Sequence, residues 1–150
     1  MKPHEQKAID AFRSGLNCAQ AVITAYSDSL KFDYKQALCL SCGFGAGMGR
    51  LQETCGAVTG AFMVIGFYNC RKYSDNKERK SETYNMVREF AARFKEKNGC
   101  TDCRTLLGCD LTTEEGQIYL KEHNLHETIC ERCVLDAISI ADKLISSENL

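Results

Sequence analysis

Apolar and polar positions along this chain recur at helical spacing. The first such stretch runs from Pro3 to Arg13 and stops at Gly15, a residue suited to leaving a helix. A second opens at Asn17, a preferred N-cap, with Gln20 placed to complete a capping box. Its apolar stripe is Cys18, Ala21, Val22, Ala25 and Tyr26. A third begins near Asp33, carries Ala37, Leu38, Cys39 and Leu40, and gives way to an irregular glycine-rich run, Gly43 to Arg50. Thr54 is then expected to cap an apolar helix from Cys55 to about Cys70.

A charged stretch, Arg71 to Lys80, leads into a helix from about Asn76 to Lys97. Thr83, Val87, Phe90 and Phe94 share one face of it, and Asn98-Gly99 ends it. A short turn follows, Asp102 to Leu107, closed by Gly108. Thr112-Thr113-Glu114-Glu115 starts a helix to about Glu122. Thr128 with Glu131 reads as a capping box for a last helix to about Ser146, whose stripe holds Cys130, Cys133, Val134, Ala137, Ala141 and Leu144. No apolar–polar alternation bounded by turns marks a strand. The expectation is an all-α fold: a single-domain bundle over 1–150, of about six to seven helices joined by short connections and packed antiparallel.

Charge narrows the function. The 19 Lys and Arg against 20 Asp and Glu leave no basic excess for a nucleic acid. The basic cluster Arg71, Lys72, Lys77, Arg79 and Lys80 is interleaved with Asp75 and Glu78 and reads as a solvated face. No apolar run approaches a membrane span, and the N-terminal residues lack the apolar region of a secretion signal. The glycine-rich run matches neither G-x-G-x-x-G nor a P-loop.

Cysteine changes the picture, at 10 of 150 residues. Without a secretion signal, such density points to metal, cluster or thiol redox chemistry in a reducing compartment. Cys18, Cys55 and Cys103 each follow an expected cap, and Cys130 and Cys133 fall in the first turns of the last helix. Free amides and the helix dipole at such starts stabilise a thiolate, the form that attacks or ligates. Cys39-x-x-Cys42, Cys100-x-x-Cys103 and Cys130-x-x-Cys133 place thiols at i and i+3, one face of a helix. Cys100, Cys103, Cys130 and Cys133 together make a four-thiolate ligand set for zinc or an iron–sulfur cluster, although 26 residues separate the two pairs. The plainer reading is that single free cysteines fill the core as small apolar residues, and that Gly56 and Gly60 let two helices approach. His4, His123 and His126 read as surface residues, with His126 close enough in sequence to Cys130 to act as base or ligand.

These residues resemble the redox-active protein family named C_GCAxxG_C_C. The resemblance rests on Gly15-Leu16-Asn17-Cys18-Ala19-Gln20-Ala21-Val22, then Gly45-Ala46-Gly47-Met48-Gly49 with Cys55-Gly56-Ala57-Val58-Thr59-Gly60-Ala61, then Cys103-Arg104-Thr105-Leu106-Leu107-Gly108, then Cys133-Val134. The label writes Gly-Cys-Ala where this chain has Cys55-Gly56-Ala57, and Cys39, Cys42, Cys70, Cys100, Cys109 and Cys130 are additional to the pattern. The resemblance implies a small helical cytoplasmic protein with a redox role, and brings no substrate with it.

Three functions stay open at this point. In a thiol–disulfide oxidoreductase or electron-transfer protein, Cys55 is the expected nucleophile, because Gly56 would leave its helix start open, with Cys18, Cys103 and Cys133 as resolving or relay thiols. In an iron–sulfur or zinc protein the same four cysteines, or Cys100, Cys103, Cys130 and Cys133, are the ligands. The third is a non-catalytic helical interaction protein. The redox partner, protein or small molecule, is not identified by the sequence, and oligomerisation is left open.

Overall fold

The computed structural model describes residues 1–148 and is all-α. In chain order the helices are α1 (Pro3–Arg13), α2 (Cys18–Thr24), α3 (Ser27–Leu30), α4 (Tyr34–Ser41), α5 (Gly56–Lys72), α6 (Asn76–Asn98), α7 (Cys103–Leu107), α8 (Glu114–Glu122) and α9 (Glu131–Glu148). Among the described residues these nine exceed the expected six to seven because α3 and α7 are single turns of 4 and 5 residues. Among the described residues no helix is long and apolar enough to cross a membrane.

Most helices start close to where the sequence places them. Asn17 Oδ1 accepts from the Gln20 amide at 2.9 Å, and Gln20 Oε1 accepts from the Asn17 amide at 3.0 Å. Asp33, Asp75, Asp102 and Thr113 cap α4, α6, α7 and α8 through their side chains.

Two starts differ. Cys55, not Thr54, is the N-cap of α5. Thr54 is held instead in an isolated antiparallel bridge with Asp102. The Cys55 amide donates to the Thr101 carbonyl at 2.7 Å, and the Cys103 amide donates to the Glu53 carbonyl at 2.6 Å. The capping box expected at Thr128 does not form. Asn124, at φ 49°, turns the chain into a π turn, His126–Cys130, that runs directly into α9. The Thr128 amide and hydroxyl both donate back to the Asn124 carbonyl. Cys130 and Cys133 therefore lie inside a continuous helical stretch rather than at an open helix start.

The main core sits where α5 packs on α2, α6 and α9, with α1 closing over α2 and α9. Tyr26, Ile65, Phe90, Phe94 and Ile138 fill it. Met86 replaces the expected Thr83 and Val87 as the buried residue one turn before Phe90. A smaller cluster of Cys103, Leu107, Cys109, Leu111, Leu120 and Leu125 forms beside it under the α7–α8 segment.

The α2–α5 contact depends on the Gly56-x-x-x-Gly60 face. A Cβ on Gly56 would lie 2.9 Å from the Phe44 carbonyl and 3.1 Å from the Ala19 amide; one on Gly60 would lie 2.8 Å from the Ala19 carbonyl. Any side chain there would force the backbones apart. Gly56 thus seats Cys55 against α2 instead of leaving it open.

The glycine-rich run is more ordered than expected. A 3-10 turn, Cys42–Phe44, passes into a left-handed segment in which Ala46 (φ 54°), Gly47 (φ 65°), Met48 (φ 70°), Gly49 (φ 64°) and Arg50 (φ 68°) all have positive φ. Glycine adopts that region freely, whereas Ala46, Met48 and Arg50 do so at a cost of roughly 1 kcal/mol or more each. Gly47 is obligatory for space as well, since a Cβ there would lie 2.6 Å from the Cys103 Cβ.

A candidate thiol cavity

A cavity of about 270 Å³ opens along the seam between the main core and the smaller cluster. Cys18, Cys55, Cys103, Cys130 and Cys133 all line it, contributed by α2, the start of α5, α7, the π turn and α9. The Thr54–Asp102 bridge explains part of this convergence, because it fastens the segments carrying Cys55 and Cys103 side by side. The remaining walls are apolar, among them Phe12, Leu106, Leu107, Leu111, Leu120 and Ile129.

The thiols are arranged in couples. Electrostatically each couple acts on itself: Cys18 and Cys130 shift each other's pKa more than any other group does, and so do Cys55 and Cys133. Hydrogen bonding from Cys130, helped by the backbone amides of Ala46 and of Cys18 itself and opposed by burial, lowers the Cys18 pKa to about 7. Donation to Cys18 correspondingly raises Cys130, and burial adds to that rise. In the second couple, accepting from Cys55 lowers Cys133, with the Arg132 charge assisting. Cys55 is raised well above the ordinary thiol value, by donation to Cys133 and then by burial. Cys55, the nucleophile expected from the sequence, is buried, with the following Gly56 pressed on α2. Within the couples, Cys18 and Cys133 are the members whose pKa is lowered.

Cys103 is pushed up to about 12, by burial first and then by the Cys18 charge. Its neighbour is Gln52, a buried residue at φ 54° that carried no signal in the sequence. Gln52 Nε2 donates to the Cys109 carbonyl at 2.9 Å and approaches Cys103 Sγ at 3.9 Å, while Gln52 Oε1 accepts from the Leu111 amide at 2.7 Å. One amide side chain thus ties the left-handed segment to the loop after α7.

The four-thiolate set Cys100, Cys103, Cys130 and Cys133 is not assembled. Gly99 (φ 87°) ends α6, and the chain then extends to reach the bridge at Asp102, so Cys100 and Cys103 do not share a helical face. Cys100 lies outside the cavity lining, with its Sγ 4.0 Å from the Asp102 carbonyl, and burial raises its pKa. Among the described residues no three His, Cys, Asp or Glu side chains converge tightly enough to hold a metal ion. Cys109 is buried in the smaller cluster, and Cys39, Cys42 and Cys70 are exposed away from the cavity. All ten cysteines are free.

His126 lines the cavity and stacks on Phe12, with ring centroids 5.8 Å apart. His123 stacks on Tyr119, and His4 bonds Asp142 and Ser29, so neither belongs to the site.

Fold and cavity define an all-helical protein built around a shared pocket of thiols. Residues 16–144 match the family described as putative redox-active protein (C_GCAxxG_C_C), and the chain belongs to that family. Searches of curated proteins and of solved structures returned no significant match.

Proposed function

We propose that the protein is a dithiol–disulfide redox protein whose working thiols are the Cys18–Cys130 and Cys55–Cys133 couples. The observation that supports this most directly is the convergence: five thiols from segments far apart in sequence line one cavity, and within it Cys18 and Cys130, and Cys55 and Cys133, are each other's strongest electrostatic partners.

Cys18 is the entry nucleophile. A pKa near 7 leaves about half of it as thiolate at neutral pH, and it is only half-buried. Its thiolate attacks one sulfur of a substrate disulfide, forming a mixed disulfide and releasing the first substrate sulfur as a thiolate. Cys130 then loses the thiolate that held its proton; His126, on the same cavity wall, takes that proton. Attack of Cys130 on Cys18 Sγ releases the second substrate sulfur and closes the Cys18–Cys130 disulfide. Counted from the Cys18 thiolate, the two cysteines give up two electrons and the one proton that passes to His126; the two substrate sulfurs leave as thiolates and become thiols by taking up that proton and one from solvent. The Cys55–Cys133 couple stands deeper, with Cys133 only 1% exposed, and exchanges with the first couple by the same chemistry. Cys103, held protonated by burial, acts as a wall.

The test is titration of the full chain in thiol–disulfide redox buffers, with free thiols counted by alkylation and intact mass. Two couples should oxidise, each removing two alkylatable thiols. Cys18→Ser and Cys130→Ser should remove one couple, and Cys55→Ser and Cys133→Ser the other. Oxidation indifferent to all four substitutions would overturn the reading. So would stoichiometric iron and sulfide, or zinc, in anaerobically purified protein that disappears in Cys18→Ser.

A further inference from the structure

The walls of the cavity say what kind of molecule it receives. We propose that its substrate is a small, uncharged, apolar disulfide rather than an anionic or protein disulfide; this rests on the thiol-couple reading above. At about 270 Å³ the cavity falls just under the usual range for drug-sized ligands, roughly 300–1,000 Å³. A disulfide embedded in a folded protein would need its flanking backbone to enter with it.

Charge selects further. Apart from thiols, the lining is aliphatic and aromatic, with Asn17 and His126 as its polar side chains, and among the described residues no Lys or Arg reaches it. Asn17 Oδ1 and Nδ2 are already engaged, by the Gln20 amide and the Cys42 carbonyl. Arg13 lies in an adjoining surface pocket that Phe12 and His126 also line, but its guanidinium is held by two hydrogen bonds, 2.7 and 3.0 Å, to the Glu131 carboxylate. A carboxylate entering here would lose its water and find no cation, while a developing thiolate at Cys18 would repel it. An uncharged apolar disulfide loses little on entry and gains contact with Phe12, Leu106, Leu111 and Ile129. The reaction balances as above: the substrate S–S bond is reduced to two thiols and Cys18 and Cys130 are oxidised to one disulfide.

The test compares 2,2′-dipyridyl disulfide, which is neutral, with 5,5′-dithiobis(2-nitrobenzoate), which is dianionic, and with oxidised glutathione. Rates with the reduced full chain are divided by each reagent's rate with a free reference thiol. The exposed Cys39, Cys42 and Cys70 are first changed to serine so that they do not contribute. The comparison is made at about pH 8, where a histidine side chain ordinarily carries no charge. The neutral reagent should be favoured by at least about tenfold after normalisation. Leu16→Lys, which puts a cation on the cavity wall, should shift that ratio toward the dianion. Equal normalised rates, with peptide mapping showing that Cys18–Cys130 still closes, would overturn the substrate class and leave the thiol-couple reading standing. If no reagent closes Cys18–Cys130, both fall.

Discussion

Gly60 and Ala19 are in direct backbone contact: a Cβ on Gly60 would stand 2.8 Å from the Ala19 carbonyl oxygen and 3.1 Å from the Val22 Cβ. That contact sets how closely α5 lies on α2, and so where Cys55 stands relative to Cys18.

Gly60→Ala should therefore destabilise the fold by about 1–3 kcal/mol, as overpacking does in a close-packed interior. Denaturant unfolding measures it directly. An unchanged midpoint would mean that α2 and α5 are not seated as described.

Cys18 should react with an alkylating reagent as a thiol that titrates near pH 7. The sign is fixed by mechanism: only the thiolate reacts, so its rate climbs through that pH and levels off above it. Cys130→Ala removes the donor that contributes most to this shift and should move the midpoint up. Cys130→Ser keeps a hydroxyl donor and should hold it lower than alanine does. Peptide-resolved alkylation across a pH series separates the three proteins.

Removing the Gln52 side chain strands the Leu111 amide and the Cys109 carbonyl, both of which it pairs. Gln52→Ala should cost about 1–3 kcal/mol for a buried polar group left unpaired. It should also loosen the segment between α7 and α8, so that the now-buried Cys109 is alkylated faster. Retained stability with unchanged Cys109 labelling would refute the strut role.

Much of this architecture was legible because helix starts are local. Asn17 with Gln20, Asp75, Asp102 and Thr113 form their caps within three residues, where side-chain chemistry decides the outcome. The misread starts are those set by distant chain. Thr54 is taken by Asp102, leaving Cys55 as the cap, and the turn at Asn124 overrides a sound capping-box pattern at Thr128. The left-handed run was illegible beyond its glycines, because Ala46, Met48 and Arg50 have no local preference for positive φ. Cys18, Cys55, Cys103 and Cys133 could be singled out from spacing and resemblance, and all four line the cavity. Their partners could not. The C-x-x-C spacing matches Cys130 with Cys133, whereas the proposed couples match Cys130 with Cys18 and Cys133 with Cys55, on the strength of their mutual pKa shifts. Gln52 gave no signal, since an isolated Gln is ordinarily a surface residue.

Disulfide mapping decides between those pairings. Fully reduced protein is oxidised mildly, its remaining thiols are blocked, and the cystine-linked peptides are identified by mass spectrometry. The thiol-couple account predicts Cys18–Cys130 and Cys55–Cys133 as the links formed first. Links within Cys130-x-x-Cys133 or Cys100-x-x-Cys103 in place of these, or five cavity thiols that stay reduced while only exposed cysteines oxidise, would contradict it.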